Sequence, residues 1–407
     1  MNMSRLMAVA ACATLAMAAN AVSVTIDSVT QRWPWNNKVD ITYTIGGDDA
    51  TVDNVCRVEI TTEVEGVAYT AYNGAPNANV QPGTYTVTWE NPPAGVNREN
   101  CKMSAKFYTI AVPEGNDYMI VDLATGAVSY EGLFTAGDTF GGVSGQNLSN
   151  VRYNVDRYKT THLALRKIPK GTYKTGDGGT ATWTTDKDYY MALFTWTNYQ
   201  YLHVLDLNAA GQDTKTRHTL KYTGDIRGNS DPSVAVVPRN TVHWPILEWL
   251  NYKTGMNFDL PTALMHEIAT RAGTTTTYFW GTNAGDASKY AVGKEVSSNY
   301  YYVGSRLPNA WGLYDMVGNA FELVLDPYAA GGTNKLYYAE NVGFPVVDPP
   351  GLPQTYAKEH NGNKLRNTIR GGGWSYSSGY CTMSYALSAE VGTRSVSKGF
   401  RFCVVCE

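Results

Sequence analysis

Apolar and polar residues alternate with a period of two from Val22 to about Val112. The recurring apolar positions are Val22, Val24 and Ile26; Val39, Ile41, Tyr43 and Ile45; Val58 and Ile60; Tyr85, Val87 and Trp89; Met103, Ala105 and Phe107. Successive side chains of a strand point to opposite faces, so this pattern predicts half-buried strands. Turn-forming clusters separate the runs at a spacing typical of an immunoglobulin-like module. Residues 22–112 are therefore predicted to form a β-sandwich domain.

The pattern changes after that region. Residues 113–159 are rich in Gly, Ser and Asp around one strand-like stretch, Tyr118–Val121, and are predicted to be a linker or junction. Further on, apolar spacing predicts a helix over Thr241–Thr254 and a second over Leu260–Gly273, where Gly273 is expected to end it.

Three later segments carry the strongest motifs. Residues 310–322 read AWGLYDMVGNAFE, residues 370–374 read RGGGW, and residues 399–401 read GFR. In this order they resemble the signature blocks of the formylglycine-generating enzyme (sulfatase-modifying factor) family. The resemblance covers about residues 160–407. It implies a C-type-lectin-like fold for that region. Together with the separate N-terminal immunoglobulin-like β-sandwich predicted above, this makes the fold class α+β.

The first of these motifs offers hard oxygen ligands, which suit Ca²⁺. The family resemblance implies a structural calcium ion bound by four positions of the loop. The implied ligands are the side chains of Asp315 and Glu322 and the carbonyl groups of Gly318 and Ala320. The alternative is that both carboxylates only cap a turn.

The oxidase chemistry of the family is only partly represented. Its enzymes convert a sulfatase cysteine to formylglycine with copper held by two cysteines, and soft thiolates suit Cu(I). Cys381 matches the second cysteine, whereas Tyr376 stands at the first position, and Gly373 and Phe321 replace the active-site Ser and Trp. Loss of the oxidase activity is therefore predicted, and copper is expected only if that activity survives with Cys381 as a catalytic residue.

The segment after Arg370 has the composition of a recognition surface. Rigid aromatic residues alternate with small hydroxyl residues, as in antibody paratopes. The predicted ligand-binding residues are Phe321, Trp374, Tyr376, Ser377, Ser378 and Tyr380. Bacterial and phage proteins diversified by retroelements vary a similar C-terminal segment of the same fold. The alternative is that these rings fill the core.

The N-terminus has the features of a signal peptide. Arg5 precedes the apolar stretch Leu6–Ala18, and Ala19-Asn20-Ala21 fits a signal-peptidase site, so residues 1–21 are predicted to be removed on export. A lipoprotein box ending at Cys12 is the alternative. Export would place the protein in the periplasm, at the cell surface or outside the cell.

Export also favours disulfides. The candidates are Cys56, Cys101, Cys381, Cys403 and Cys406. Cys56 and Cys101 are in phase with the apolar face of the sandwich, so an inter-sheet bond is predicted between them; the alternative is two buried free thiols. A second bond is predicted between Cys381 and either Cys403 or Cys406.

Charge and hydropathy exclude other classes. The net charge of −3 and the absence of a basic cluster argue against a nucleic-acid partner. Beyond the N-terminal stretch, no apolar run is long enough to span a bilayer.

A zincin-like motif begins at His266-Glu267 but lacks the second histidine, because Thr270 stands at that position. His266 is therefore expected on a helix surface.

The sequence thus favours an exported recognition protein that has lost oxidase activity and binds a peptide, glycan or cell-surface protein. Two alternatives remain open: an active oxidase that uses Cys381 with another thiol, and a structural protein of the cell envelope.

Overall fold

The computed structural model describes residues 22–32, 37–46, 55–78, 82–93, 102–204, 246–328, 366–390 and 397–406. The chain divides into two compact units. The first ends at Ala111 and takes in Thr139–Val143, and the second comprises Val112–Asp138 and continues from Ser144.

Two three-stranded sheets form the first unit. Its main strands are β1 (Ser23–Gln31), β2 (Lys38–Gly46), β3 (Val55–Val64), β4 (Val67–Asn73), β5 (Gly83–Glu90) and β6 (Lys102–Ile110). The sheets have the orders β1-β2-β5 and β4-β3-β6, and every pair is antiparallel.

The alternating apolar residues of both sheets pack into one core. They include Val39, Ile41, Tyr43 and Ile45 from one sheet and Val58 and Ile60 from the other. The predicted β-sandwich and its inward face are therefore confirmed.

The prediction of a linker over residues 113–159 is wrong, because most of these residues belong to the second unit. It forms strands β7 (Tyr118–Asp122) and β8 (Val128–Glu131), the hairpin β9 (Thr139–Phe140) and β10 (Val143–Ser144), and helices α1 (Gly145–Tyr153) and α2 (Arg157–Thr160). Residues 118–121 are all buried. A strand buried on both faces reads as a continuous apolar run without alternation. Such a short run does not reveal that the strand belongs to the core of a larger sheet.

The remaining helices and strands follow in chain order. The helices are α3 (Asn198–Val204), α4 (Ile246–Thr254), α5 (Ala263–Arg271) and α6 (Ala287–Tyr290). The strands are β11 (His162–Ile168), β12 (Gly171–Thr175), β13 (Ala181–Thr185), β14 (Tyr189–Ala192), β15 (Phe258–Asp259), β16 (Phe321–Pro327), β17 (Arg366–Arg370), β18 (Ala386–Glu390), β19 (Lys398–Gly399) and β20 (Cys403–Val405).

A six-stranded antiparallel sheet of order β15-β20-β14-β11-β7-β8 is the centre of the second unit. Alternate residues serve two different cores. Met119 and Val121 pack on one face of β7, whereas Tyr118 and Ile120 pack on the other. A second sheet has the order β18-β17-β16-β19, and β12 and β13 form a hairpin.

Helix α5 lies inside the predicted helix Leu260–Gly273. Thr262 caps its N-terminus by accepting a hydrogen bond from Met265 N at 3.2 Å. Its C-cap residue Ala272 has φ +46°, in the left-handed region, just before Gly273. Helix α4 matches residues 246–254 of the other predicted helix, whose first five residues lie outside the described ones. Within the described part of the chain, no helix has the length and apolarity to cross a membrane.

Candidate functional site

Three loops of the second unit converge on Asn319. They are residues 290–302, the acidic loop (residues 315–322) and the tyrosine loop (residues 371–385). Asn319 N donates to Val292 O at 2.8 Å, and Asn319 O accepts from Trp374 N at 3.0 Å. Its side chain accepts from Tyr301 N at 2.8 Å and donates to Tyr301 O at 3.2 Å. This buried residue therefore links all three loops.

The acidic and tyrosine loops touch through their backbones. Gly318 N donates to Gly371 O at 2.7 Å. Gly371 has φ +87°, and a Cβ atom there would lie 2.8 Å from Met316 O. Only glycine combines this backbone conformation with so close an approach. The first glycine of the RGGGW motif is thus explained by the packing of the two loops.

The tyrosine loop carries a chain of ring contacts. Tyr376 and Tyr380 meet edge to face with centroids 5.6 Å apart, and Tyr380 lies 5.1 Å from Tyr385. Tyr376 and Tyr380 are 37% and 43% exposed, respectively. The predicted anchors Trp374, Ser377 and Ser378 are partly exposed beside them. Five of the six predicted ligand-binding residues thus reach the same surface.

Phe321, the sixth predicted ligand-binding residue, does not reach this surface, so its predicted role as a surface anchor has to be corrected. Its ring is 2% exposed, because it is the first residue of β16 and packs into the core. It meets Tyr376 edge to face at 4.9 Å. Phe321 therefore supports the exposed ring of Tyr376 from below.

Cys381 lies in the same loop but is closed off from solvent. It is packed with Phe279, Val317 and Met383. Burial, with a smaller contribution from Glu295, raises the pKa of its thiol to about 12. A buried, protonated thiol is neither a good nucleophile nor a good Cu(I) ligand. The described residues around Cys381 therefore do not fit a copper site.

The predicted bond between Cys381 and Cys403 or Cys406 is not formed, since all three are free thiols. The tertiary structure separates them: Cys381 packs between the loops, whereas Cys403 is on β20 opposite Met191 and Asp259. Cys56 is buried, as its phase predicted. Its proposed partner Cys101 lies outside the described residues, so that bond stays a prediction.

Glu322 does not fit the calcium ligand set, because its two carboxylate oxygens already have protein partners. Arg401 Nε and Nη2 donate to them at 2.6 and 2.8 Å, and Thr195 Oγ1 donates at 2.6 Å. Burial favours the neutral acid, but Arg401 and His266 outweigh it and lower the pKa of Glu322 to about 2. Among the described residues, no group of three or more His, Cys, Asp or Glu is arranged to hold a metal ion. Calcium binding stays a prediction that these contacts do not support.

Asp315 is the other carboxylate of that loop. Its Oδ2 accepts from Gly304 N at 2.6 Å, whereas its buried Oδ1 has no hydrogen-bond partner. Burial raises its pKa to about 6. The two predicted carboxylate ligands thus have opposite pKa shifts, because Arg401 bonds directly to the Glu322 carboxylate, whereas burial outweighs the attraction of Arg401 and Lys159 at Asp315.

His266 was expected on a surface, and that expectation is wrong. It is 1% exposed, and its Nε2 lies 2.8 Å from Glu322 Oε2. Helix α5 is buried on all sides, so a polar residue in it signals a buried network rather than an exposed face. The sequence contained no periodic signal for this arrangement.

A second buried ion network was also missed. Glu267 accepts from Arg271 Nε on its own helix and from Arg370 Nη2 on β17, both at 2.8 Å. It also accepts from Gly176 N at 2.7 Å. This network joins α5 to the strand that begins the tyrosine loop. It is a structural support of the surface and has no access to solvent.

Comparisons with known proteins agree with the motifs. A family model described as "Sulfatase-modifying factor enzyme 1-like domain" matches residues 155–405. No curated protein matches the chain. The chain is similar to a solved structure of Treponema denticola variable protein 1, with 20% identity and a TM-score of 0.44, covering 60% of this chain and 95% of that one. It is also similar to the structure of PvdO from Pseudomonas aeruginosa, with 20% identity and a TM-score of 0.41, covering 60% of this chain and 94% of that one.

The P3c variant of the Major Tropism Determinant is similar over 89% of this chain and 85% of its own, with 13% identity and a TM-score of 0.28. The family model spans more than half of the 407 residues. The chain therefore belongs to the sulfatase-modifying factor family, and its second unit has the mixed helix and strand content described above.

Proposed function

We propose that this protein is an exported recognition protein that binds a peptide, a glycan or a cell-surface protein through its tyrosine loop and does not oxidise cysteine. The observation that carries the proposal is the contrast within that loop. Tyr376 and Tyr380 are exposed, whereas Cys381, the one residue matching a catalytic cysteine, is buried with a raised thiol pKa.

The exposed rings suit binding for a physical reason. Tyrosine offers a large contact area and a hydroxyl group with only two side-chain torsions to fix, so binding costs little conformational entropy. Tyr376 is held by Phe321 below and by Tyr380 beside it. A ring held by its neighbours loses still less freedom when a ligand docks.

The backbone around the rings is also held in place. Tyr376 O accepts from Lys294 N at 3.0 Å, and Ser378 N donates to the Glu295 carboxylate at 3.1 Å. Asn319 fixes the same loop from the other side. Such a framework lets side chains at the surface change without loss of the fold, which supports the further proposal that the segment is diversified by a retroelement. Gene copies whose differences cluster at residues 374–385 would support that proposal, and differences spread evenly would contradict it.

An oxidation assay tests the loss of activity. Purified protein is incubated with Cu(I), oxygen and a Cys-x-Pro-x-Arg peptide, and the peptide mass is measured beside an active family enzyme. We expect no conversion to formylglycine, because the thiol of Cys381 is protonated and enclosed. Conversion that disappears in Cys381→Ala would contradict the proposal and favour the oxidase alternative.

A binding assay tests recognition. Labelled wild type is applied to peptide and glycan arrays and to intact bacterial and host cells, and then compared with Tyr376→Ala/Tyr380→Ala. Tyr252→Ala is the matched control, because Tyr252 is 70% exposed on α4, outside the loop. We expect a bound subset that the double variant loses and the control retains. A bound subset that survives the double variant would reject the tyrosine loop as the binding surface.

A further inference from the structure

A cavity of about 550 Å³ lies in the second unit and shares no residue with the tyrosine loop. It is lined across β8, β7, β14 and β20 of the central sheet and by residues 255–257 after α4. Cavities of about 300–1,000 Å³ are the usual size for small-molecule sites. The cavity is therefore large enough for a small organic ligand.

Its walls are aromatic and sulfur-containing. Tyr130 and Tyr190 have ring centroids 6.0 Å apart and planes inclined by 55°. Met119, Met256 and Cys406 line the same space. Thioether and thiol sulfurs make favourable contacts with aromatic rings. These walls therefore suit a flat aromatic molecule.

The position of one ring is fixed. The Tyr190 hydroxyl donates to Asn116 O at 2.6 Å. Tyr190 is itself buried, whereas Tyr130 is 47% exposed. The ring of Tyr190 is thus held in place, whereas the ring of Tyr130 is partly open to solvent.

The lining carries no charge. None of the ten lining residues is Lys, Arg, His, Asp or Glu. Burial raises the pKa of the Cys406 thiol and of the Tyr190 hydroxyl, so both are neutral at pH 7. Lys167 and Asp188, which act on Cys406, form an ion pair at 2.9 Å. An ionised ligand would lose hydration here without a counter-charge, whereas the polar residues of the lining, Asn116 and Asn257, are uncharged.

We propose that this cavity is a binding site for an uncharged aromatic small molecule. The site is independent of the recognition surface, so either one can fail without the other.

The test uses N-phenyl-1-naphthylamine, a neutral aromatic fluorophore, titrated into the full chain. We expect saturable binding at one site and at least about tenfold weaker binding of the sulfonated analogue 1-anilinonaphthalene-8-sulfonate. No saturable binding, or equal binding of the charged analogue, would overturn the proposal.

Cys406→Trp should fill the cavity and weaken binding of the neutral probe at least about tenfold. Cys406→Ser keeps the volume and removes only one sulfur contact, so it should weaken binding much less than Cys406→Trp. Leu307→Trp adds the same side chain at an exposed position outside the cavity and should also bind normally. Equal binding by Cys406→Trp, with an unchanged melting temperature, would place the probe elsewhere.

A second readout needs no large substitution. Cys406 is partly exposed, whereas Cys381 and Cys403 are buried, so a disulfide reagent should modify Cys406 first among these three. The Cys406→Ser variant assigns that fast phase. We expect saturating neutral probe to slow it at least about fivefold, and an unchanged rate would contradict binding in this cavity.

Discussion

Single residues of the acidic loop decide the geometry of the candidate site. Asn319 has φ +59°, a conformation that asparagine tolerates better than most residues. Its side chain forms hydrogen bonds with both backbone groups of Tyr301, which lies 18 residues earlier in the chain. A motif read only as a row of possible metal ligands thus also contains the residue that joins three loops.

Replacing Asn319 should therefore disturb both stability and binding. Asn319→Ala removes two part-buried hydrogen bonds and places in the left-handed region a residue that tolerates it less well than asparagine, which should cost about 2–4 kcal/mol of unfolding free energy. Asn319→Gly removes the same bonds but suits the backbone, so it should cost less. Urea unfolding of both variants measures the difference, and equal losses would show that backbone conformation contributes nothing.

Asp315 should make stability depend on pH. Its pKa is raised to about 6 in the folded chain, mainly by burial, so folding favours the protonated acid. The folded state then holds more protons than the unfolded state between about pH 4 and 6, and stability falls as pH rises through that window. Asp315→Asn should remove this slope and add about 2–3 kcal/mol at pH 7.

Unfolding free energies at pH 4 and pH 7, with calcium or with EDTA, test this prediction. Without a bound cation, Asp315→Asn is more stable than wild type at pH 7, and EDTA changes nothing. If Asp315→Asn were destabilising in calcium and EDTA lowered the wild-type melting temperature, the family's calcium site would be present after all.

At the scale of elements, a buried ion network holds the tyrosine loop in position. Strand β17 leads directly into that loop, and Arg370 at its end pairs with Glu267 of α5. Arg271 pairs with the same carboxylate one helical turn later. A helix buried on all sides needs such pairs, because its charged residues have no solvent to face.

Glu267→Ala should break this attachment. It leaves two arginine side chains buried without their carboxylate, which typically costs about 3–5 kcal/mol. Glu248→Ala, at an exposed position of α4, is the matched control and should stay within about 0.5 kcal/mol of wild type. Thermal or urea unfolding measures both, and similar small effects would mean that the network contributes little.

At the scale of the whole molecule, the second unit begins much earlier than the family motifs. Strand β7 pairs with β11 along five residues, from His162–Asp122 to Arg166–Tyr118. Without β7, the open edge of β11 and the apolar faces of both cores would meet water. An unpaired, apolar strand edge favours aggregation.

Two fragments test this boundary. A fragment of residues 112–407 keeps β7, β8 and α1 and should be monodisperse and cooperative in thermal unfolding. A fragment of residues 160–407, which starts where the motif-based boundary lies, should aggregate or lack a cooperative transition. Size-exclusion chromatography and circular dichroism distinguish the two, and a well-folded shorter fragment would show that β7 is dispensable.

The sequence by itself determined the period-two strands of the first unit, the position of α5 and the family, because local periodicity and ordered motifs depend on few residues. Tertiary structure alone decided which motif residues meet and which face solvent. Phe321 lies beneath Tyr376 because β16 brings it into the core, and Glu322 pairs with Arg401 because residues 79 positions apart meet inside the fold. Tyr118–Val121 is strand-like in sequence, but only its pairing with β11 makes it part of the six-stranded sheet. The choice of that partner depends on residues far away in sequence, and burial on both faces removes the alternation that would have marked a core-facing side, so the local pattern could not place this strand in the sheet.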